Sequence, residues 1–93
     1  MLPIRWTVEA LDDLDQLTDY IAEINPWAAK RMFEVIESAV IPASLTPFLF
    51  RTGRESGTRE IVAHPNYLVV YRVMDGWIEV VNVVHARQRY PAQ

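Results

Sequence analysis

Residues Thr58–Pro91 read TREIVAHPNYLVVYRVMDGWIEVVNVVHARQRYP, and this stretch decides the fold. It holds three β-type runs, Thr58–Ala63, Tyr67–Val73 and Trp77–Val84, dense in β-branched and aromatic residues. Short turns at His64–Asn66 and Asp75–Gly76 separate them, and Asp-Gly suits a tight hairpin. In the middle run both faces are apolar: Tyr67, Val69, Tyr71 and Val73 on one, Leu68 and Val70 on the other. A strand with so little polarity belongs inside a sheet. The third run, with Val80, Val81, Val83 and Val84, alternates only weakly. An arginine-rich tail, His85-Ala86-Arg87-Gln88-Arg89-Tyr90, follows this three-stranded meander.

Upstream of the meander the period changes from two to about 3.6. Val8–Ile24 carries Leu11, Leu14, Leu17, Ile21 and Ile24 at helical spacing, with Thr7 as N-cap and Glu9, Asp12 and Asp13 at the positive end of the dipole. Asp13, Asp19 and Glu23 are expected to face solvent. Asn25-Pro26 marks a boundary, because Asn caps and Pro opens the next helix. That helix is expected from Pro26 to about Ile41, with Ala29, Phe33, Ile36 and Val40 inward and Met32 beside them. Pro42 ends or kinks it, and Pro47 stops any continuation. So short a turn between two helices predicts an antiparallel hairpin. Leu2–Thr7 reads as a short strand, and Phe48–Gly57 as a loop with Arg51 and Arg54 exposed. The predicted order is β-α-α-β-β-β, an α+β sandwich with a helical hairpin on one sheet face. The 93 residues predict one domain, 1–93.

Composition excludes several functions. There is no cysteine, hence no disulfide, thiol catalysis or thiolate metal site. No apolar run reaches the roughly 18 residues of a membrane span, and the N-terminus does not read as a signal peptide. The expectation is a cytoplasmic protein without membrane association. A net charge of −3 argues against a broad nucleic-acid surface. The charge is polarised. Glu9–Glu23 holds six acids and no base, whereas Arg51–Arg89 holds six arginines against four acids. Arginine outnumbers lysine eight to one, which suits bidentate and stacked contacts at interfaces.

The chain has no phosphate-cradling glycine loop, nucleophile elbow or metal signature, and no cofactor is expected. His64 is expected to make a local hydrogen bond in its turn. His85, Arg87 and Tyr90 together have the chemistry of a metal-free ribonuclease: one group takes a 2′-hydroxyl proton, another protonates the leaving oxygen, and arginine steadies the phosphorane. The competing readings are a solvated strand end and a tail that seats a protein partner. Arg59 and Glu60 fall on opposite strand faces, and Arg59 is expected to form a salt bridge within the sheet.

Three runs carry a resemblance: Gly53-Arg54-Glu55-x-Gly57-Thr58-Arg59-Glu60-Ile61-Val62, His64-Pro65-Asn66-Tyr67-x-Val69-Val70-Tyr71-Arg72-Val73, and Val83-Val84-His85-Ala86-Arg87-Gln88-Arg89-Tyr90-Pro91. With Asp12-Asp13-Leu14-x-x-Leu17-x-x-Tyr20-Ile21, they resemble the ParE branch of the RelE/ParE toxin superfamily over essentially the whole chain. The resemblance implies the toxin of a bacterial type II toxin–antitoxin pair, of the plasmid-stabilization kind, with an edge strand, a helical hairpin and an antiparallel sheet. It implies a ParD-like antitoxin that folds on binding into a toxin–antitoxin hetero-oligomer, and DNA gyrase as the target of a binding inhibitor. RelE-like members instead cut mRNA on the ribosome. They carry an arginine just before the Leu/Val-Val-Tyr segment of the middle strand, where this chain has Leu68. That departure and the net acidity favour the ParE-like reading over ribosome-dependent mRNA cleavage, for which His85, Arg87 and Tyr90 are the catalytic candidates. Arg59, Arg72, His85, Arg87, Arg89 and Tyr90 are the partner-binding candidates.

Overall fold

A computed structural model describes residues 1–91. The chain runs β1 (Ile4–Trp6), α1 (Val8–Ile24), α2 (Pro26–Ala39), α3 (Ile41–Leu45), β2 (Arg59–His64), β3 (Tyr67–Val73) and β4 (Ile78–His85). The helix starts follow local chemistry. Thr7 accepts the Ala10 N–H at 3.1 Å, and Asn25 Oδ1 accepts those of Trp27 and Ala28 at 3.1 and 3.2 Å.

The second helix is shorter than its apolar spacing predicts. It breaks at Val40, and Pro42 opens the separate short α3. Proline has no N–H for the α2 ladder, but it fits the first turn of a new helix. The inward stripe also shifts. Ala29, Ile36 and Val40 are buried and Met32 packs against the core, whereas Phe33 is exposed. On α1 the buried residues are Ala10 and Leu14, with Leu17 against the core. Leu11 and Ile24 are exposed, contrary to their place in the leucine repeat. With Tyr20 and Trp27, Ile24 leaves a solvent-facing apolar group towards the hairpin tip.

The sheet order is β1-β4-β3-β2, with β3 interior and β1 at one edge. The β2–β3 and β3–β4 pairs are antiparallel, and β1 joins β4 in parallel, with Ile4 opposite Ile78 and Trp6 opposite Val80. The hairpin packs on one face, α1 over β4 and α2 over β2. There Leu14, Ile36 and Val40 meet Ile61, Val69, Tyr71, Ile78, Val80 and Val83.

The weak alternation of the last strand has a geometric cause. Val70 pairs with Asn82 but Tyr71 pairs with Val80, so Val81 is an extra residue on β4. A bulge reverses side-chain parity. Val80 and Val83, three apart, therefore share the helix-covered face. The opposite face carries a smaller cluster of Leu68, Val70, Val84 and Tyr90, flanked by Val81 and Ala86.

The loop after α3 is tied to the sheet. Thr52 bridges Arg59, the Glu60 N–H donates to the Arg51 carbonyl at 3.0 Å, and the Gly53 N–H donates to the Thr58 carbonyl at 2.7 Å. A Cβ on Gly53 would collide with the Thr58 hydroxyl, so this approach requires glycine.

Candidate interaction surface

The C-terminal segment turns at His85. The imidazole Nδ1 accepts the Arg87 N–H at 3.1 Å, the His85 N–H donates to Gln88 Oε1 at 3.2 Å, and the Ala86 N–H donates to the Asn66 carbonyl at 2.7 Å. His64 makes the same local bond, accepting the Asn66 N–H at 3.1 Å. The turn sends the tail across the sheet face that the helices leave open. Tyr90 packs there on Leu68, Val70 and Val84, only 9% exposed. The Arg54 guanidinium lies 4.6 Å from the Tyr90 ring centre and its Nη1 donates to the Gln88 carbonyl at 3.4 Å.

Beside Tyr90 the same face holds a charged cluster. Glu60 is 4% exposed and bonds Arg51 Nε at 2.9 Å, with Arg54 Nε at 3.9 Å. Its second oxygen accepts the Arg54 N–H at 3.3 Å. Arg72 reaches Glu55 at 3.7 Å. Arg51 and Arg54 are exposed, as their loop position predicts, yet both are held on Glu60. Among the described residues Arg59 does not form its expected salt bridge, and the pairing in this strand belongs to Glu60. Arg59 lies on the helix-covered side, where Nη1 donates to the carbonyls of Phe50 at 2.6 Å and Phe48 at 3.2 Å.

On the helix-covered side, α1 and the His85 end of the sheet enclose a cleft of 340 Å³, lined by Leu17, Tyr20, Tyr67 and His85 and by Asp13, Gln16, Val83 and Gln88. Tyr67 and His85 meet edge to face with ring centres 5.4 Å apart. Asp13 does not face solvent as an acid on a polar helix face would. Its Oδ2 accepts the Val83 N–H and the Asn82 Nδ2–H, each at 3.0 Å. Beyond Trp6 the short β1 no longer covers this edge of β4, so the carboxylate takes up a backbone donor that a strand would otherwise pair. The signal lay in the helix period: Ala10, Asp13, Leu14 and Leu17 stand at i, i+3, i+4 and i+7, one stripe.

The residues singled out in the sequence are thus split. His85 borders the cleft on one side of the sheet, Tyr90 is buried on the other, and Arg87 and Arg89 are exposed on the segment between. Leu68 is buried under Tyr90, on the face opposite His85. Arg72 is half-buried on the Tyr90 side. No group of three His, Asp or Glu side chains that could hold a metal ion occurs among the described residues, and no helix there is long and apolar enough to cross a membrane.

The mixed sheet with a helical hairpin on one face has counterparts among known proteins. Solved structures share it. One from the chromosomal ParDE toxin–antitoxin system of P. aeruginosa matches with a TM-score of 0.80 at 22% identity, over 91% of this chain and 96% of that one. The YoeB/ParE toxin from Agrobacterium tumefaciens matches at 0.64 and 22%, over 90% and 98%. A family model described as ParE toxin of type II toxin–antitoxin system, parDE, covers residues 4–90. The chain is 39% identical over 89 residues to a Sinorhizobium fredii protein described as a toxin, Y4kP, spanning 95% of this chain and 92% of the relative. It is 37% identical over 87 residues to toxin RelE2 of Caulobacter vibrioides, spanning 92% and 97%. The chain belongs to the ParE family, the toxins of type II toxin–antitoxin systems.

Proposed function

We propose that this toxin acts by binding DNA gyrase and that an antitoxin encoded beside it neutralises it by folding onto its surface. One observation carries the choice of binding over catalysis: His85 borders the cleft on one side of the sheet and Tyr90 is buried on the other. The resemblance adds to it, since RelE-like members are expected to carry an arginine about where this chain has the buried Leu68. A phosphoryl-transfer site needs its acid and base around one phosphate, and here Tyr90 is buried on the side of the sheet away from His85. The family model supports the antitoxin, since its description pairs the toxin in parDE. The proposed site of action is the cytoplasm, where gyrase works. Purified toxin is expected to reduce supercoiling of relaxed plasmid by gyrase in a dose-dependent way, and the toxin–antitoxin complex to leave it intact. Full supercoiling at every toxin concentration would overturn the reading.

The second reading is ribosome-dependent mRNA cleavage, favoured by the 37% identity to a relative named RelE2. Toeprinting on translating ribosomes decides it. Codon-positioned cuts that vanish in His85→Ala establish cleavage, and an uncut message excludes it.

A further inference from the structure

The cleft between α1 and the His85 end of the sheet has a chemistry that the gyrase reading does not use. We propose that it seats an arginine side chain presented by a partner polypeptide. At 340 Å³ it lies near the lower end of the about 300–1,000 Å³ typical of ligand sites. That is room for one long side chain.

The lining selects charge and shape together. Tyr67, Tyr20 and His85 supply ring faces and edges, and Leu17 and Val83 supply apolar wall. Gln16 and Gln88 are exposed members of the lining. No lysine or arginine is among the lining residues, so an anion finds no positive partner in it. The His85 Nδ1 accepts the Arg87 N–H, which holds the ring in place at the cleft. Asp13 is the one carboxylate in the lining. Its Oδ2 is held by Val83 and Asn82, which fixes the group, and its Oδ1 takes no hydrogen bond among the described residues. A fixed carboxylate oxygen beside tyrosine rings suits a guanidinium, which is planar, stacks on aromatic faces and donates along defined directions. The approach is favourable as well. Five further acids of α1, Glu9, Asp12, Asp15, Asp19 and Glu23, are exposed with no base among them, so the helix attracts a basic segment towards the cleft.

This inference deepens the reading of the toxin as a protein that acts by binding, and its test reads the cleft itself without gyrase or ribosomes. Uniformly ¹⁵N-labelled full-length toxin is titrated with three capped tripeptides, glycine-X-glycine, where X is arginine, citrulline or glutamate. Citrulline keeps the shape of arginine without the charge. The arginine peptide is expected to give saturable amide shifts at Asp13, Leu17, Tyr67 and Val83, and the other two none. Asp13→Asn keeps an acceptor for Val83 and Asn82 and is expected to weaken arginine binding roughly ten-fold or more, a loss of one charge-assisted bond. Gln16→Arg, at an exposed helix position, supplies a competing guanidinium and is expected to abolish the saturable shifts. Equal shifts from citrulline, arginine shifts spread along Glu9–Glu23 and missing the cleft, or no shift at all would each overturn the proposal.

Discussion

Glu60 and Tyr71 sit back to back across the β2–β3 ladder and are satisfied in different ways. Glu60, almost fully buried, rests on two exposed arginines and a backbone N–H. Glu60→Ala removes charge-assisted bonds and is expected to cost about 2 kcal/mol in urea unfolding, with Glu60→Gln recovering part because it keeps an acceptor for Arg54. Tyr71 is buried and donates its hydroxyl to the Pro47 carbonyl at 2.6 Å, which ties the loop after α3 to the core. Burial pushes its phenol above the ordinary value of 10.0, and the positive charge of Arg59 opposes that rise. The folded state therefore favours the neutral phenol. Its contribution is complete below pH 10 and is lost as pH rises from there through the folded value. Tyr71→Phe is expected to lose about 1 kcal/mol near neutrality and to show a shallower fall in stability between pH 9 and 11, values that bracket the unperturbed 10.0. Chemical denaturation across that range measures both effects.

At the scale of elements, the fold depends on how each edge and end is closed. The parallel β1 covers β4 only from Ile78 to Val80, and Asp13 then takes the Val83 N–H. Asp13→Ala leaves that donor unpaired and is expected to cost about 1–3 kcal/mol. Hydrogen exchange at the Val83 amide should speed up relative to Val69, which lies in the interior strand. Asn25 closes the start of α2 with two bonds. Asn25→Ala is expected to cost about 1 kcal/mol, read as a lower thermal midpoint. The Asn25 cap and the Thr7 cap were legible because each involves residues three apart or fewer. The Asp13 contact joins residues 70 apart, and no local pattern names its partner. Arg59 is a similar case. Its position on a strand was legible, but the carbonyls it bonds belong to a loop whose path the sheet sets.

For the molecule as a whole, the two faces of the sheet are unequal. The hairpin covers one, and a single aromatic side chain covers the centre of the other. Tyr90→Ala is expected to uncover Leu68, Val70 and Val84 and to cost about 3 kcal/mol or more, by comparison with other large-to-small core changes. Increased dye binding to exposed apolar surface is the readout. The charge distribution is unequal too, with the acids on α1 and the arginines around Tyr90 and the tail.

The order of the strands and of the two long helices, the starts of those helices, the interior place of β3 and the resemblance to the ParE toxins were determined by the sequence alone. Each rests on period, capping or turn residues, which act over a few positions along the chain. Tertiary structure decided the rest. The Val81 bulge sets which valines of β4 face the helices, because register depends on the partner strand. The break at Val40 shows how Pro42 is used, since a proline is compatible with a helix end and with a helix start. Above all, His85, Arg87 and Tyr90 are near neighbours in sequence yet are distributed over two sides of a sheet. A strand end directs successive side chains to opposite faces, and the turn that follows carries the chain over its edge.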